Sequence, residues 1–339
     1  MPNLRQCAIW VLGISLLAPL VAAQSYAITD LGLLPGSYET YAQGVNDLMQ
    51  VTGGAGFSGT SEAILWTERD GIRQLKTLEG YTYLNAYGIN NLGDAVGGAV
   101  TPSGGHVMLW THDGEVRDLG APGSKASTAY GVNDLGVIAG WEYFGPAFIW
   151  SRGEGFRVIG TLPGGNFTVA SHINLHNHVV GFADFPNNTA HAFLWTPEKG
   201  MRDLGVPGGD FSEATGNNNF GQIVGYAESY FGEHAVLWQE DGEDVIDLGI
   251  LVGDDFSVAS AVNDVGEVVG YSHSPYGSAY NHAFVWTRRG GMEDLNDLIP
   301  GGSGWVLNYA TSINLEGMIC GYGALNGETR AFLLTPISY

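Results

Sequence analysis

The chain has 339 residues, with 13 Lys and Arg against 35 Asp and Glu, for a formal charge of −22. That balance excludes a nucleic-acid binder, whose phosphate contacts need a basic face, and argues against docking on anionic lipid. Charged residues make up 14%, apolar residues 45%, and Gly numbers 52; this composition excludes disorder and favours many short strands joined by tight turns.

Residues 1–23 read as an export signal. Arg5 is the single charge before Asp30, an apolar run spans Cys7 to Val21, and Val21-Ala22-Ala23 offers small residues for cleavage before Gln24. The run is short for a bilayer span, and no second stretch of that length follows. The expectation is an exported protein, extracellular or periplasmic, with no membrane span after cleavage. Residues 24–339 then form one domain holding one cysteine, Cys320, which cannot form an internal disulfide.

Self-similarity dominates that domain. Three phrases recur in order. The first runs GVNDLMQVTGG, GINNLGDAVGG, GVNDLGVIAGW, HINLHNHVVGF, GNNNFGQIVGY, AVNDVGEVVGY and SINLEGMICGY, anchored by Asn46, Asn90, Asn133, Asn174, Asn218, Asn263 and Asn314. The second ends at Trp66, Trp110, Trp150, Trp195, Trp238, Trp286 and Leu334. The third, of the RDLG type, follows each Trp by 8 or 9 residues, is missing after Leu334, and occurs once early as Ile28-Thr29-Asp30-Leu31-Gly32.

Asn-Asp-x-Gly between apolar runs is a tight hairpin turn, because Asn and Asp accept local backbone hydrogen bonds and Gly takes a positive φ. Each repeat therefore reads as four antiparallel strands, A to D, in roughly 44 residues, which is one propeller blade. The fold class is all-β, a seven-bladed β-propeller of four-stranded antiparallel blades. The blades cover approximately 37–78, 79–120, 121–160, 161–205, 206–249, 250–296 and 300–335, the last completed by the N-terminal strand 26–32. Small residues on strand A suit the crowded axis.

The repeats predict cross-strand pairs at one register: His106 with Asp118, His191 with Asp203, His234 with Asp247, His282 with Asp294 and, through closure, Arg330 with Asp30. Blade one has Glu62 with Gln74 there, and blade three Pro146 with Val158. Recurrence at equivalent positions makes these blade hydrogen bonds rather than several active sites.

The pattern resembles the extracellular HAF repeat family of bacteria. The residues carrying it are His191-Ala192-Phe193-Leu194-Trp195, Met201-Arg202-Asp203-Leu204-Gly205 and GINNLGDAVGG at 88–98. The resemblance covers residues 26–335 and implies a secreted bacterial β-repeat protein; it carries no activity.

Function is sought where the pattern breaks and where loops vary. His172 replaces a small residue of strand A, and with His176 and His178 it places three imidazoles in seven residues, a candidate metal set; a polar turn is the alternative. The A–B and C–D connections are short and uniform, whereas the B–C and D–A connections vary and share the opposite face. That face gathers aromatics among carboxylates and amides, which suits sugar rings. Trp141, Tyr143, Phe144, Tyr230, Phe231, Tyr276 and Trp305 are the candidate ligand-binding residues. Phe167, Phe211 and Phe256 recur seven residues before their anchors, next to Ser or Thr, and read as plugs between blades. No cofactor is indicated. Calcium would draw on the acidic runs Asp254-Asp255 and Glu240 to Asp247, but no EF-hand spacing is present.

The leading expectation is a secreted binding propeller that recognises an extracellular glycan or protein. One alternative is a polysaccharide hydrolase or lyase, with His172 grouped with Tyr226, Arg157 or Glu228. Another is a structural surface protein without a small ligand.

Overall fold

The computed structural model describes residues 25–186, 189–229, 232–239, 245–273 and 281–337. The expected export segment 1–23 and the candidates Tyr230, Phe231 and Tyr276 lie outside the described residues.

Seven four-stranded antiparallel sheets form a propeller, each sheet ordered A-B-C-D from the axis outward. Strand A lines the axial channel in all seven blades. Strands B and C are covered by neighbouring blades on both faces, so they read as apolar runs; Val51–Phe57 is buried at six consecutive positions. Strand A alternates instead, as in Ser127–Val132, because one of its faces meets the channel. The apolar core therefore lies between blades. At the seam, Leu31, Cys320 and Leu333 of blade seven pack with Ala42, Val51 and Trp66 of blade one.

The first strand, Ser25–Asp30, pairs with Glu328–Ile337 and completes blade seven, with Asp30 opposite Phe332. A buried hydroxyl fastens this seam. Thr40 Oγ1 donates to the Gly32 carbonyl at 3.0 Å and accepts from Ala331 N at 3.1 Å. Thr168, Ser212 and Ser257 make the same two bonds between successive blades. The Thr or Ser that follows Phe167, Phe211 and Phe256, like Thr40 at the seam, is therefore an inter-blade staple.

The anchor asparagines form a closed ring. Each Oδ1 caps its own A–B turn by accepting backbone N–H groups, as Asn46 does from Leu48 and Gln50. Each Nδ2 donates to the carbonyl of the next anchor, from Asn46 to Asn90 and onward until Asn314 donates to Asn46, at 2.9–3.1 Å throughout. The turn chemistry was expected; the circuit between blades is new.

Strand A carries a bulge in every blade. It brings backbone against the Gly of strand B: a Cβ at Gly225 would overlap the Glu213 carbonyl oxygen, and one at Gly53 the Tyr41 carbonyl oxygen. This is why the first phrase ends in Gly.

The outer pairs form at His106–Asp118 (2.8 Å), His191–Asp203 (2.9 Å), His234–Asp247 (2.9 Å) and Arg330–Asp30 (3.2 Å). They are diagonal neighbours, since Met108 and Phe193 sit directly opposite Asp118 and Asp203. In each, the Asp also accepts from the Gly two residues on, at Gly120, Gly205, Gly249 and Gly32. Blade six corrects the expected pair of His282 with Asp294. His282 meets the buried Asp254 at 3.1 Å. Asp294 instead caps the 3-10 turn Leu295–Asp297, accepting from Asn296 N at 2.8 Å. This blade leads into the longest repeat interval, and the added chain draws Asp294 into a local cap.

Candidate functional site

Five residues before each anchor, strand A places one side chain on the variable-face side of the bulge. These are Tyr41, Asn85, Thr128, Val169, Glu213, Val258 and Tyr309. Their partners on strand B, directly opposite, are Gly54, Gly98, Trp141, Phe182, Tyr226, Tyr271 and Tyr322. The fourteen positions are equivalent in backbone and different in chemistry. Glu213 is the single carboxyl among them.

On one side of the mouth the pairs fill the space with tyrosines. Tyr271 packs on Tyr309 at 4.8 Å, Tyr309 stacks on Tyr322 at 4.6 Å, and Tyr322 meets Tyr41 edge-on at 4.9 Å. Burial pushes all four of Tyr41, Tyr226, Tyr271 and Tyr322 above the ordinary phenol range. They stay neutral.

On the other side, across blades three to five, the space is open. A cavity of about 530 Å³ is lined by Tyr130, Trp141, Tyr143, Phe144, Phe167, Val169, Ser171, Phe182 and Glu213. An aromatic chain forms its wall: Trp141 to Tyr143 at 5.8 Å, Tyr143 to Phe144 at 4.4 Å, Phe144 to Phe167 at 6.5 Å and Phe167 to Phe182 at 6.0 Å. Tyr143 and Phe144 stand at the rim, 54% and 65% exposed. Phe144 has φ +51°, left-handed backbone that a bulky residue rarely takes. Its carbonyl accepts from Lys125 Nζ at 2.7 Å, which holds this turn in place. Water-facing aromatic rings on strained backbone are the kind of local expense that fold stability does not explain.

Glu213 is the cavity's charged side chain. Its Oε2 accepts from Tyr226 Oη at 3.0 Å. Removal from water pushes its pKa up to about 7, with the Tyr226 bond opposing that rise and the negative charge of Glu233 adding to it. A carboxyl of this kind exchanges its proton near neutral pH and can donate, accept or carry charge.

The structure thus brings Trp141, Tyr143 and Phe144 together at one cavity. Trp305 does not join them; it packs edge-on against Phe332 at 5.8 Å within the core of blade seven. Phe167, expected as a plug, is also part of the cavity wall. Glu213 was visible in the sequence only as one acid among several in the D–A loops. The signal that singles it out is the comparison of repeats, five residues before the anchor.

The three histidines do not form a ligand set. His172 turns into the axial channel, where its Nδ1 lies 2.9 Å from Asn217 Oδ1 of the next blade, and burial holds its imidazole below the usual value. His176 and His178 stay at the A–B turn, 5.7 Å apart. Among the described residues, no group of three His, Cys, Asp or Glu side chains is placed to hold a metal ion. The catalytic grouping around His172 is likewise dispersed: Tyr226 is bonded to Glu213, Arg157 lies over Trp195 at 5.4 Å, and Glu228 accepts from Asp210 N at 2.8 Å.

No protein-family model matches the chain, and no curated protein sequence does. Solved structures do resemble it. A streptogramin B lyase superposes with a TM-score of 0.60 at 12% identity, over 92% of this chain and 98% of that one. Virginiamycin B lyase from Staphylococcus aureus gives 0.59 at 14%, over 93% and 100%. An oligogalacturonate lyase in complex with manganese gives 0.60 at 12%, over 94% and 95%. At such identities the likeness is one of fold: the chain is a seven-bladed β-propeller.

Proposed function

We propose that this chain is an exported binding propeller that holds an extracellular glycan in the aromatic cavity of blades three to five. The observation that carries the reading is the wall of Trp141, Tyr143, Phe144, Phe167 and Phe182, with Tyr143 and Phe144 exposed at the rim. Aromatic faces pack against the C–H faces of sugar rings, and Ser171, Tyr130 and Glu213 supply the few polar groups that orient a ligand. The repeat pattern, similar to that of secreted bacterial proteins, supports export. The test is a glycan array probed with the wild type, Trp141→Ala and Phe144→Ala. Retention of a glycan that both variants lose by about tenfold or more supports the reading; an array with no signal above background rejects it.

A second reading, a polysaccharide hydrolase or lyase, has one observation in its favour. Glu213 is held near neutrality beside a phenol, the condition of a general acid. A reducing-end release assay on the retained glycan separates the two: release abolished by Glu213→Gln makes the site catalytic, and retention without release leaves it a binding site.

A further inference from the structure

We propose that the cavity selects a glycan bearing a free, protonated amine, held by its ring faces on the aromatic wall and by its ammonium group against the Glu213 carboxylate. The inference rests on the glycan reading above and narrows it to a chemical class.

Three observations lead to it. First, the cavity lining contains no Lys, Arg or His, and Lys125 at the rim has its Nζ tied to the Phe144 carbonyl at 2.7 Å, so the lining itself offers the carboxylate of a uronate or the sulfate of an acidic sugar no counter-charge. The chain's charge of −22 adds a long-range field of the same sign, which attracts cations and repels anionic chains. Second, Glu213 is a half-buried acid with no ion-pair partner among the described residues. Tyr226 is its single side-chain hydrogen-bond partner among the described residues, and its other near neighbours are acids or phenols: Glu233 on strand C, Tyr271 of blade six and Tyr130 across the cavity. An isolated carboxyl in such surroundings takes up a proton unless a cation arrives. Third, the remaining walls are aromatic faces, whose negative quadrupoles attract an ammonium group and lose little in doing so once water is excluded. A neutral hexose would use the rings but leave the acid unmatched; an amino sugar uses both.

The groups facing Glu213 also set the pH behaviour. Tyr130, Tyr226 and Tyr271 stay neutral through the accessible range, and Glu233, itself pushed upward by burial and by Glu228, opposes ionisation of Glu213. An ammonium ligand therefore binds with release of the Glu213 proton.

The experiment titrates the full chain with three matched β-1,4-linked tetrasaccharides near neutral pH: one of glucosamine, one of N-acetylglucosamine and one of glucose. Indole fluorescence and calorimetry are the readouts. The expected result is tightest binding of the glucosamine oligomer, a binding heat that varies with the buffer's ionisation enthalpy as proton release requires, and a loss of about tenfold or more in Glu213→Gln for that oligomer alone. Equal or tighter binding of the acetylated or glucose oligomer overturns the amine selection while leaving glycan recognition intact. So does an unchanged affinity in Glu213→Gln. No binding of any of the three overturns both. Glu213→Gln keeps the side-chain shape; should it lose native circular dichroism, Tyr226→Phe in the same titration reads the site instead. Removing the hydroxyl that stabilises the carboxylate weakens the glucosamine oligomer relative to the acetylated one, and an unchanged ratio overturns the proposal.

Discussion

The two faces of the ring use one backbone for opposite ends. On the A–B face the same asparagine recurs seven times and makes the same bonds each time. On the B–C/D–A face, five residues earlier along the same strands, the seven positions hold Tyr, Asn, Thr, Val, Glu, Val and Tyr. Where one chemistry must close a circle, any odd member breaks it, so the position is uniform. Where blades merely present side chains to solvent, each is free to differ, and a cavity with one acid can arise between three of them. Repetition marks the scaffold, and departure from it marks the site.

The sharpest way to break that comparison is on the uniform face. Asn133→Ala removes a donor to the Asn174 carbonyl at 2.9 Å and an acceptor for Leu135 N and Val137 N. All are buried or half-buried, so the expected loss is about 3 kcal/mol in urea unfolding. Asn90→Ala should match it to within about 1 kcal/mol, because it shares the ring bond and both turn bonds and lacks only Asn133's added bond to Asn177 Oδ1 at 2.8 Å. A large gap between the two would show that the ring is not uniform in energy.

The seam gives the next effect. Thr40→Val keeps the shape and deletes the two bonds to Gly32 and Ala331, for an expected loss of about 2 kcal/mol. Arg330→Ala, across the visible ion pair with Asp30, should lose less than about 1 kcal/mol, because both side chains reach water. The reverse order would place closure in the ion pair rather than in the buried staple.

These contrasts bear on what the sequence could reveal. Seven blades, their closure and the Arg330–Asp30 meeting were legible because period and register follow from spacing alone. The bond from each anchor to the next was not, since it depends on the rotation between blades, which no spacing encodes. His282 kept its type but changed its partner to Asp254, because a local cap captured Asp294. Tyr143 and Phe144 were found by being out of pattern, and Trp141 by its place next to the variable B–C connection. Trp305 was out of pattern too, yet a neighbouring Phe332 was there to receive it. Irregularity finds candidates, and packing decides among them.

Titration extends the comparison to pH. Glu213 has a native value of about 7 against an ordinary 4.5. The folded chain thus binds more protons between those values, and the stability it contributes is full below about 4.5 and lost as the pH rises through about 7. His172, in the channel, is shifted the other way by burial, so its contribution is present above the ordinary imidazole value and lost as the pH falls below it. Glu213→Gln should gain on the wild type as unfolding is followed from about pH 5 to about pH 8, and His172→Gln should gain in the acid direction. A pH-independent difference for Glu213→Gln would mean that the native carboxyl is not protonated.

The smallest expected stability change belongs to Phe144→Gly, and its smallness is the point. The ring is 65% exposed, so little burial is lost, while the left-handed backbone at φ +51° suits Gly and releases about 1 kcal/mol of steric strain. The two terms oppose, and the net should fall within about 1 kcal/mol of zero. Four residues along the same chain, Phe148 is fully buried, and Phe148→Ala should lose about 3–5 kcal/mol. The measurement is paired: urea midpoints for both variants, and ligand titration of Phe144→Gly. Unchanged stability with weakened binding identifies Phe144 as a residue kept for contact at the expense of its backbone. A large loss of stability would return it to the scaffold, and the wall of the cavity with it.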